Sequence, residues 1–218
     1  MAQKQFAVVG LGRFGTSVAR TLYEMGYDVL GIDSDEDIIQ DRADLVTHAI
    51  ACDSTDESAL KAIGIRNFDV VVVAIGDDVK NSILTTLILK EMGVKTIVVK
   101  AQDEMHGKVL EKIGADKVVY PERDMGYRVA HNLISPNILD YIELAEDYSI
   151  LELQAPSKFV GRSLEQIDIR RKYGCNVMAI KHRTHINIAP IASDIIHEGD
   201  VLVVVGRNED LDELDETR

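Results

Sequence analysis

Basic residues are in short supply in this chain: 24 Lys and Arg stand against 37 Asp and Glu, for a formal net charge of −13. Such a field repels phosphate backbones, so nucleic acid is not an expected partner, and any phosphate held here must be held by local geometry. Cysteine is almost absent. Cys52 and Cys175 lie far apart and match no metal-ligand spacing; their apolar or small neighbours suit core residues in a reducing compartment. No apolar run approaches the ~20 residues of a membrane span. The opening MAQKQFAVVG enters a strand pattern at once, without the apolar stretch of a secretory leader. Repeats and low-complexity stretches are missing as well. The expectation is a cytoplasmic protein with no direct membrane insertion, peripheral at the inner face of the cell membrane only through a partner.

What is present is a strong α/β alternation. Hydrophobic residues make up 46% of 218 positions, enough for one large domain or two modest ones. Val/Ile-rich runs (QFAVVG, YDVLGID, VTHAIACD, FDVVVVAIG, KTIVVKA, DKVVY) are separated by helical patterns such as VKNSILTTLILKEMG. Near-continuous rather than alternating apolar strands imply helices on both faces of the sheet. The expected fold class is therefore α/β, a Rossmann-type doubly wound parallel sheet, followed by a small α+β C-terminal domain. Residues 1–120 form the nucleotide-binding lobe in this reading, and 121–145 a helix and linker. That segment is read as one helix, a break at Ser135-Pro136, and a second short helical stretch. Residues 146–218 form the small lobe, with a helix over SLEQIDIRRKYG and an acidic terminal helix over NEDLDELDETR.

The stretch VVGLGRFGTSVARTLYEMGYDVLGIDSD, Val8 to Asp35, carries the chemistry. Gly10, Gly12 and Gly15 fit G-x-G-x-x-G between a strand and a helix: the first for the tight turn, the second for close approach of a pyrophosphate, the third for helix–sheet packing. The helix N-terminus would face the phosphates. Arg13 sits in the turn beside Phe14, where a guanidinium can clamp a phosphate oxygen. Asp33, ending the second strand, stands where a carboxylate takes ribose hydroxyls. Asp35 either assists on the ribose or caps the following helix. Asp53 and Ser54 end the third strand, and Ile75 and Gly76 the fourth. Strand C-termini of such a sheet edge one crevice, so these residues adjoin the adenine or ribose; for Asp53 an N-cap role is the alternative.

These residues, with DSTDESALKAIGIRNFDVVVVAIG, LTTLILKEMG, VVKAQ, VLEKIGADKVVYPERDMG, DIRRKYGCNVMAIK and GDVLVVVG, resemble the RCK (regulator of potassium conductance) family over essentially the whole chain. The resemblance is to the KtrA/KtrC-type cytosolic subunits of bacterial Ktr potassium transporters. It implies a homodimer assembling into an octameric ring on a membrane-embedded Ktr-type potassium channel subunit. It also implies competitive ATP and ADP binding in the N-terminal lobe. Under it Arg13 serves the phosphates, Asp33 and Asp35 the ribose, and Lys100 approaches the nucleotide from a neighbouring strand. Glu122 matches an acid that helps hold a divalent cation or sodium at the dimer interface. The C-terminal lobe resembles one that binds cyclic di-AMP, with Leu164, Ile169, Arg170, Asn176, Val177 and Pro190 on the matching segment. Cys52 departs from the family's usual glycine but leaves Asp53 in place.

The competing function is a small NAD-dependent oxidoreductase, with NAD(H) in the crevice. Such an enzyme needs an acid–base constellation beside the cradle. The six histidines are scattered, and none stands in a recognisable pair with a nucleophile. His182 and His185, on a hairpin-like stretch, are expected at the surface rather than on a metal. The reading is a sensor, not an enzyme.

Overall fold

Alternate residues of most N-terminal strands belong to different hydrophobic clusters, which explains the unbroken Val/Ile runs. In β1 (Gln5–Val9), Ala7 and Val9 join Ile32, Val71 and Val99 in one core, while Val8 joins Val29 and Val72 in another. A computed structural model of the chain describes residues 4–134, 138–145 and 147–215. It divides into two units, Met1–Arg123 and Asp124–Arg218.

In the first unit β1 is followed by α1 (Arg13–Glu24), β2 (Asp28–Asp33), α2 (Glu36–Arg42), β3 (His48–Ala51) and α3 (Glu57–Ala62). Then come β4 (Val70–Val73), α4 (Val79–Glu91), β5 (Ile97–Lys100), α5 (Glu104–Lys112) and β6 (Lys117–Val119). The strands are parallel in the order β3-β2-β1-β4-β5-β6. This is the doubly wound Rossmann arrangement, with its switch point between β1 and β4. Asp35, Asp56, Asp78 and Asp103 cap α2, α3, α4 and α5 by accepting backbone N–H groups, each cap contributing about 1 kcal/mol. α1 differs: its N-cap is Gly12, which supplies no side-chain acceptor, and its first turn holds no acid. That helix end is left for something else to satisfy.

The second unit takes up most of α6 (Pro121–Ile134), with Pro121 at the first helical position, where its missing N–H costs nothing. β7 (Ile138–Ala145), β8 (Tyr148–Gln154), α7 (Leu164–Ile167), α8 (Ile169–Tyr173), β9 (Asn176–Lys181), β10 (Ile186–Asn187), β11 (Val201–Arg207) and α9 (Asn208–Asp215) follow. The antiparallel sheet has the order β10-β9-β11-β8-β7. Its core gathers Leu151, Leu153, Ile167, Ile169, Ile180, Leu202 and Val204. The β9–β11 ladder slips once: Val203 pairs with Ala179 but Val204 with Val177, leaving Met178 unpaired with β11.

Two expectations are corrected. The helical stretch expected after the proline is the strand β7, because Ile138, Tyr141 and Ile142 pair with Leu153, Leu151 and Ile150 of β8, and long-range pairing overrides local pattern. The break at Ser135-Pro136 lies outside the described residues. The single helix over SLEQIDIRRKYG is instead α7 and α8, divided at Asp168, whose φ of 53° and ψ of 49° are left-handed. Asp tolerates that region better than most side chains, because its short polar group bonds locally.

Candidate functional site

At the switch point the C-terminal ends of β1, β2, β3 and β4 enclose a crevice of about 280 Å³. Gly10, with φ +90°, sits in its turn so close to β4 that a Cβ would lie 3.1 Å from the Ala74 carbonyl carbon. A Cβ on Gly15 would lie 1.8 Å from the Gly10 oxygen, so only glycine lets α1 start there. A Cβ on Gly12 would meet nothing within 4 Å. The first and third glycines therefore serve the protein's own packing, and the second faces open space at the uncapped helix end. This is the cradle a pyrophosphate needs.

The surrounding carboxylates are mostly engaged. Asp33 accepts from Leu11 N at 2.7 Å and from Asp35 N at 3.1 Å, tying β2 to the glycine turn. A carboxylate accepts about four hydrogen bonds, so two directions remain for ribose hydroxyls. Asp35 accepts from Asp37 N and Ile38 N as the α2 cap; of its two readings, the cap is the role the geometry displays. Asp53 accepts from Thr55 N and Thr55 Oγ1, which hold its carboxyl below the usual carboxylate range. The cap of α3 is Asp56, not Asp53. Ser54 is buried and shares a 2.8 Å hydrogen bond with Thr85. Ile75 and Gly76 form the wall on the β4 side.

Lys100, at the end of β5, crosses Gly76, where a Cβ would come within 3.1 Å of its Nζ. Its ammonium donates to Glu122 Oε1 at 2.6 Å and lies 6.0 Å from the Phe14 ring centroid. The lysine side chain is 12% exposed and the glutamate 70%, so the cation is fixed and the anion is the displaceable partner. Lys100, with a further contribution from Arg13, holds the Glu122 carboxyl below its ordinary range. Arg13, Lys100 and Glu122 thus form one electrostatic group beside the glycine turn. Glu122 is already paired with Lys100 here.

The second unit carries a pocket of about 450 Å³ whose lining includes Leu164, Ile169, Arg170, Asn176, Val177 and Pro190. Arg170 donates to Asn176 Oδ1 at 2.8 Å, which presents both polar heads at one place. Ile169 is buried in the core and Val177 is packed against it, so these aliphatics serve the fold as well as the pocket wall. Cys175, beneath, is fully buried, and burial pushes its thiol up to about 11.

Sequence reasoning missed several features. Cys52, read as a core residue, is half-buried and lines the crevice, as does Asn81. The Lys100–Glu122 pair was invisible because 22 residues separate its members. His182, expected at the surface, is only 18% exposed at its side chain and bonds Asp200. The hairpin register that brings them together is a property of the folded sheet.

Residues 6–121 match the TrkA-N domain and residues 148–217 the TrkA-C domain. The chain is 53% identical to Ktr system potassium uptake protein C of Bacillus subtilis (strain 168), covering 96% of this chain and 95% of the relative. It is 48% identical to Ktr system potassium uptake protein A of the same organism, over 95% and 94%. Among solved structures, the GsuK RCK domain aligns with a TM-score of 0.54 at 25% identity, covering 98% of this chain and 46% of that one. No described helix is long and apolar enough to cross a membrane. The chain belongs to the RCK family of TrkA-N/TrkA-C proteins, and within it is similar to the Ktr potassium uptake proteins A and C.

Proposed function

We propose that this chain is the cytosolic ligand-sensing regulatory subunit of a Ktr-type potassium-uptake system, gated by ATP and ADP at the crevice of the first unit. The observation that carries the ligand assignment is the uncapped α1 N-terminus with Arg13 and the Lys100–Glu122 pair beside it. The similarity to Ktr system proteins over nearly the whole chain supports the biological setting. Adenosine and the first two phosphates are common to ATP and ADP, so discrimination falls on the γ-phosphate. A third phosphate brings added negative charge toward Lys100, and Glu122 must then leave the lysine or receive a cation of its own. A divalent ion or sodium between Glu122 residues of two copies satisfies that requirement with oxygen ligands. A ligand shifts a conformational equilibrium only through such differential contacts.

In this reading the chain forms homodimers that assemble into an octameric ring on the membrane-embedded channel subunit, and it conducts no chemistry of its own. The pocket of the second unit takes cyclic di-AMP, with Arg170 on a phosphate, Asn176 on a phosphate or base, and Leu164, Ile169, Val177 and Pro190 against adenine. NAD(H) ranks behind ATP and ADP. Calorimetric titration of the purified chain with ATP, ADP, NADH and cyclic di-AMP tests the set. ATP and ADP should compete for one site per chain, and cyclic di-AMP should bind independently of both and weaken strongly in Arg170→Ala. Tight NADH binding with no heat from ATP would overturn the nucleotide assignment.

A further inference from the structure

The ends of β9 and β11 bring together three residues that the nucleotide and cyclic di-AMP readings leave unused. Lys181 pairs with Val201 in the antiparallel ladder, so the residues just beyond that pair, His182 and Asp200, face each other across the end of the sheet. His182 opens the β9–β10 turn, its backbone N–H donating to His185 O. Asp200 closes the turn that begins at His197: its Oδ2 accepts from His197 N at 2.7 Å. The two turns thus lie side by side, with side chains aimed at one point.

His182 Nδ1 donates to Asp200 Oδ1 at 2.8 Å, since a carboxylate can only accept. His197 Nδ1 lies 3.6 Å from Asp200 Oδ2. One ligand atom from each of the three residues lies within 4.8 Å of the others. Tetrahedral zinc with nitrogen and oxygen ligands at 2.0–2.2 Å separates its ligand atoms by about 3.4 Å; the two contacts observed, each to a different oxygen of Asp200, lie on either side of that value, so small side-chain rotations complete the set. Asp200 is 3% exposed and His197's side chain 68% exposed, so the site has a fixed floor and an open edge. A cavity of about 450 Å³ borders all three residues, leaving room for a water as fourth ligand.

We infer that His182, His197 and Asp200 form a binding site for a borderline transition-metal dication, with Zn²⁺ the best match. Two imidazoles and one carboxylate suit zinc, copper, nickel and cobalt, whereas magnesium and calcium prefer all-oxygen sets. The site therefore differs in metal class from the oxygen-ligand site argued for Glu122. On binding, the ion replaces the hydrogen that links His182 to Asp200, lying off the line between their two ligand atoms, and the His182 proton moves to Nε2. The bound ion joins the turn at 182–185 to the turn at 197–200.

The test is calorimetry of untagged, chelator-stripped full-length protein with Zn²⁺, in a Cys52→Ser background that removes the accessible thiol. The expected result is one Zn²⁺ per chain, unaffected by excess Mg²⁺, with affinity at least tenfold weaker in His197→Gln and in His182→Gln. His197 is exposed, so its substitution leaves the fold intact, and a circular dichroism melt without metal verifies this for both variants. His185→Gln, whose ring stacks 4.5 Å from that of His182, should retain binding within about threefold. Loading with Co²⁺ should give the intense visible absorption of a four-coordinate ion, lost in His197→Gln. No heat with Zn²⁺, or equal affinity in wild type and the two variants, would overturn the site; loss of binding in His185→Gln alone would overturn this ligand set.

Discussion

Replacing Asp33 by Ala removes the carboxylate together with every hydrogen bond it accepts, which isolates what the carboxylate does. In the ligand-free protein its half-buried bond from Leu11 N is the one that matters; the bond from Asp35 N is exposed. A hydrogen bond to a charged group is worth about 1.5–3 kcal/mol. At roughly 2–4 °C per kcal/mol for a chain of this size, the melting temperature should fall by about 3–12 °C. The remaining two acceptor directions face the crevice, where ribose hydroxyls belong in our reading. Their loss carries the same order of cost, about a 10- to 150-fold drop in affinity. Ribose is common to ATP and ADP, so both should weaken alike. Differential scanning fluorimetry at fixed protein concentration reads the first effect, and calorimetry well below the melting point reads the second. An unchanged melting temperature would refute the tie between β2 and the glycine turn. A ratio of ATP to ADP affinity that moves by more than about threefold would refute the ribose assignment.

Further expectations concern the glycines, the cation and the buried thiol. Gly12→Ala should melt within a degree or two of wild type yet bind ATP weakly, whereas Gly15→Ala should lose about 1–3 kcal/mol or more of stability, since its Cβ would meet the Gly10 oxygen; fluorimetry separates the two. Glu122→Gln should abolish any ATP-dependent stabilisation by Mg²⁺ or Ca²⁺ while sparing ADP binding, and a melting increment that survives the change counts against the cation site. Cys175 has a folded-state pKa raised from 9.0 to about 11. Its contribution to stability is thus fully present below pH 9 and is lost as pH rises through about 11. Urea unfolding over that window should show wild type losing up to about 1.4 kcal/mol per pH unit relative to Cys175→Ala. Parallel slopes for the two proteins would contradict it.

The first unit was legible because its signals are local. Val/Ile runs, a glycine triplet and the acids ahead of α2 to α5 are all readable within a few residues, and the runs point to the doubly wound parallel sheet that the structure has. The second unit was less so. Ile138 to Ala145 has a pattern that fits a short helix until β8 offers a partner, and Asp168 breaks a helix by adopting a conformation with no strong mark in sequence. Candidate residues fared in the same way. Gly10, Gly12 and Gly15 could be ranked by their spacing alone, but whether Asp35 and Asp53 face a ligand or a backbone N–H depends on the turn that follows each. Pairs such as Lys100 with Glu122, or His182 with Asp200, are products of strand order and register.

The unpaired Met178 in β9 sets a tension between sheet regularity and ligand recognition. Side chains alternate along a strand, so one surplus residue reverses the facing of everything before it. Val177 is thereby brought into register with the buried Val204, and Asn176 is set beside Arg170 at the pocket. Were Met178 drawn into the ladder opposite Val204 instead of bulged, Val177 and Asn176 would exchange facings, burying an amide and exposing a valine. Deleting Met178 would instead close the ladder in its present register, with Val177 still opposite Val204. Among chains of the same length here, those that pair this residue rather than bulge it should fold to the same sheet and recognise a different molecule.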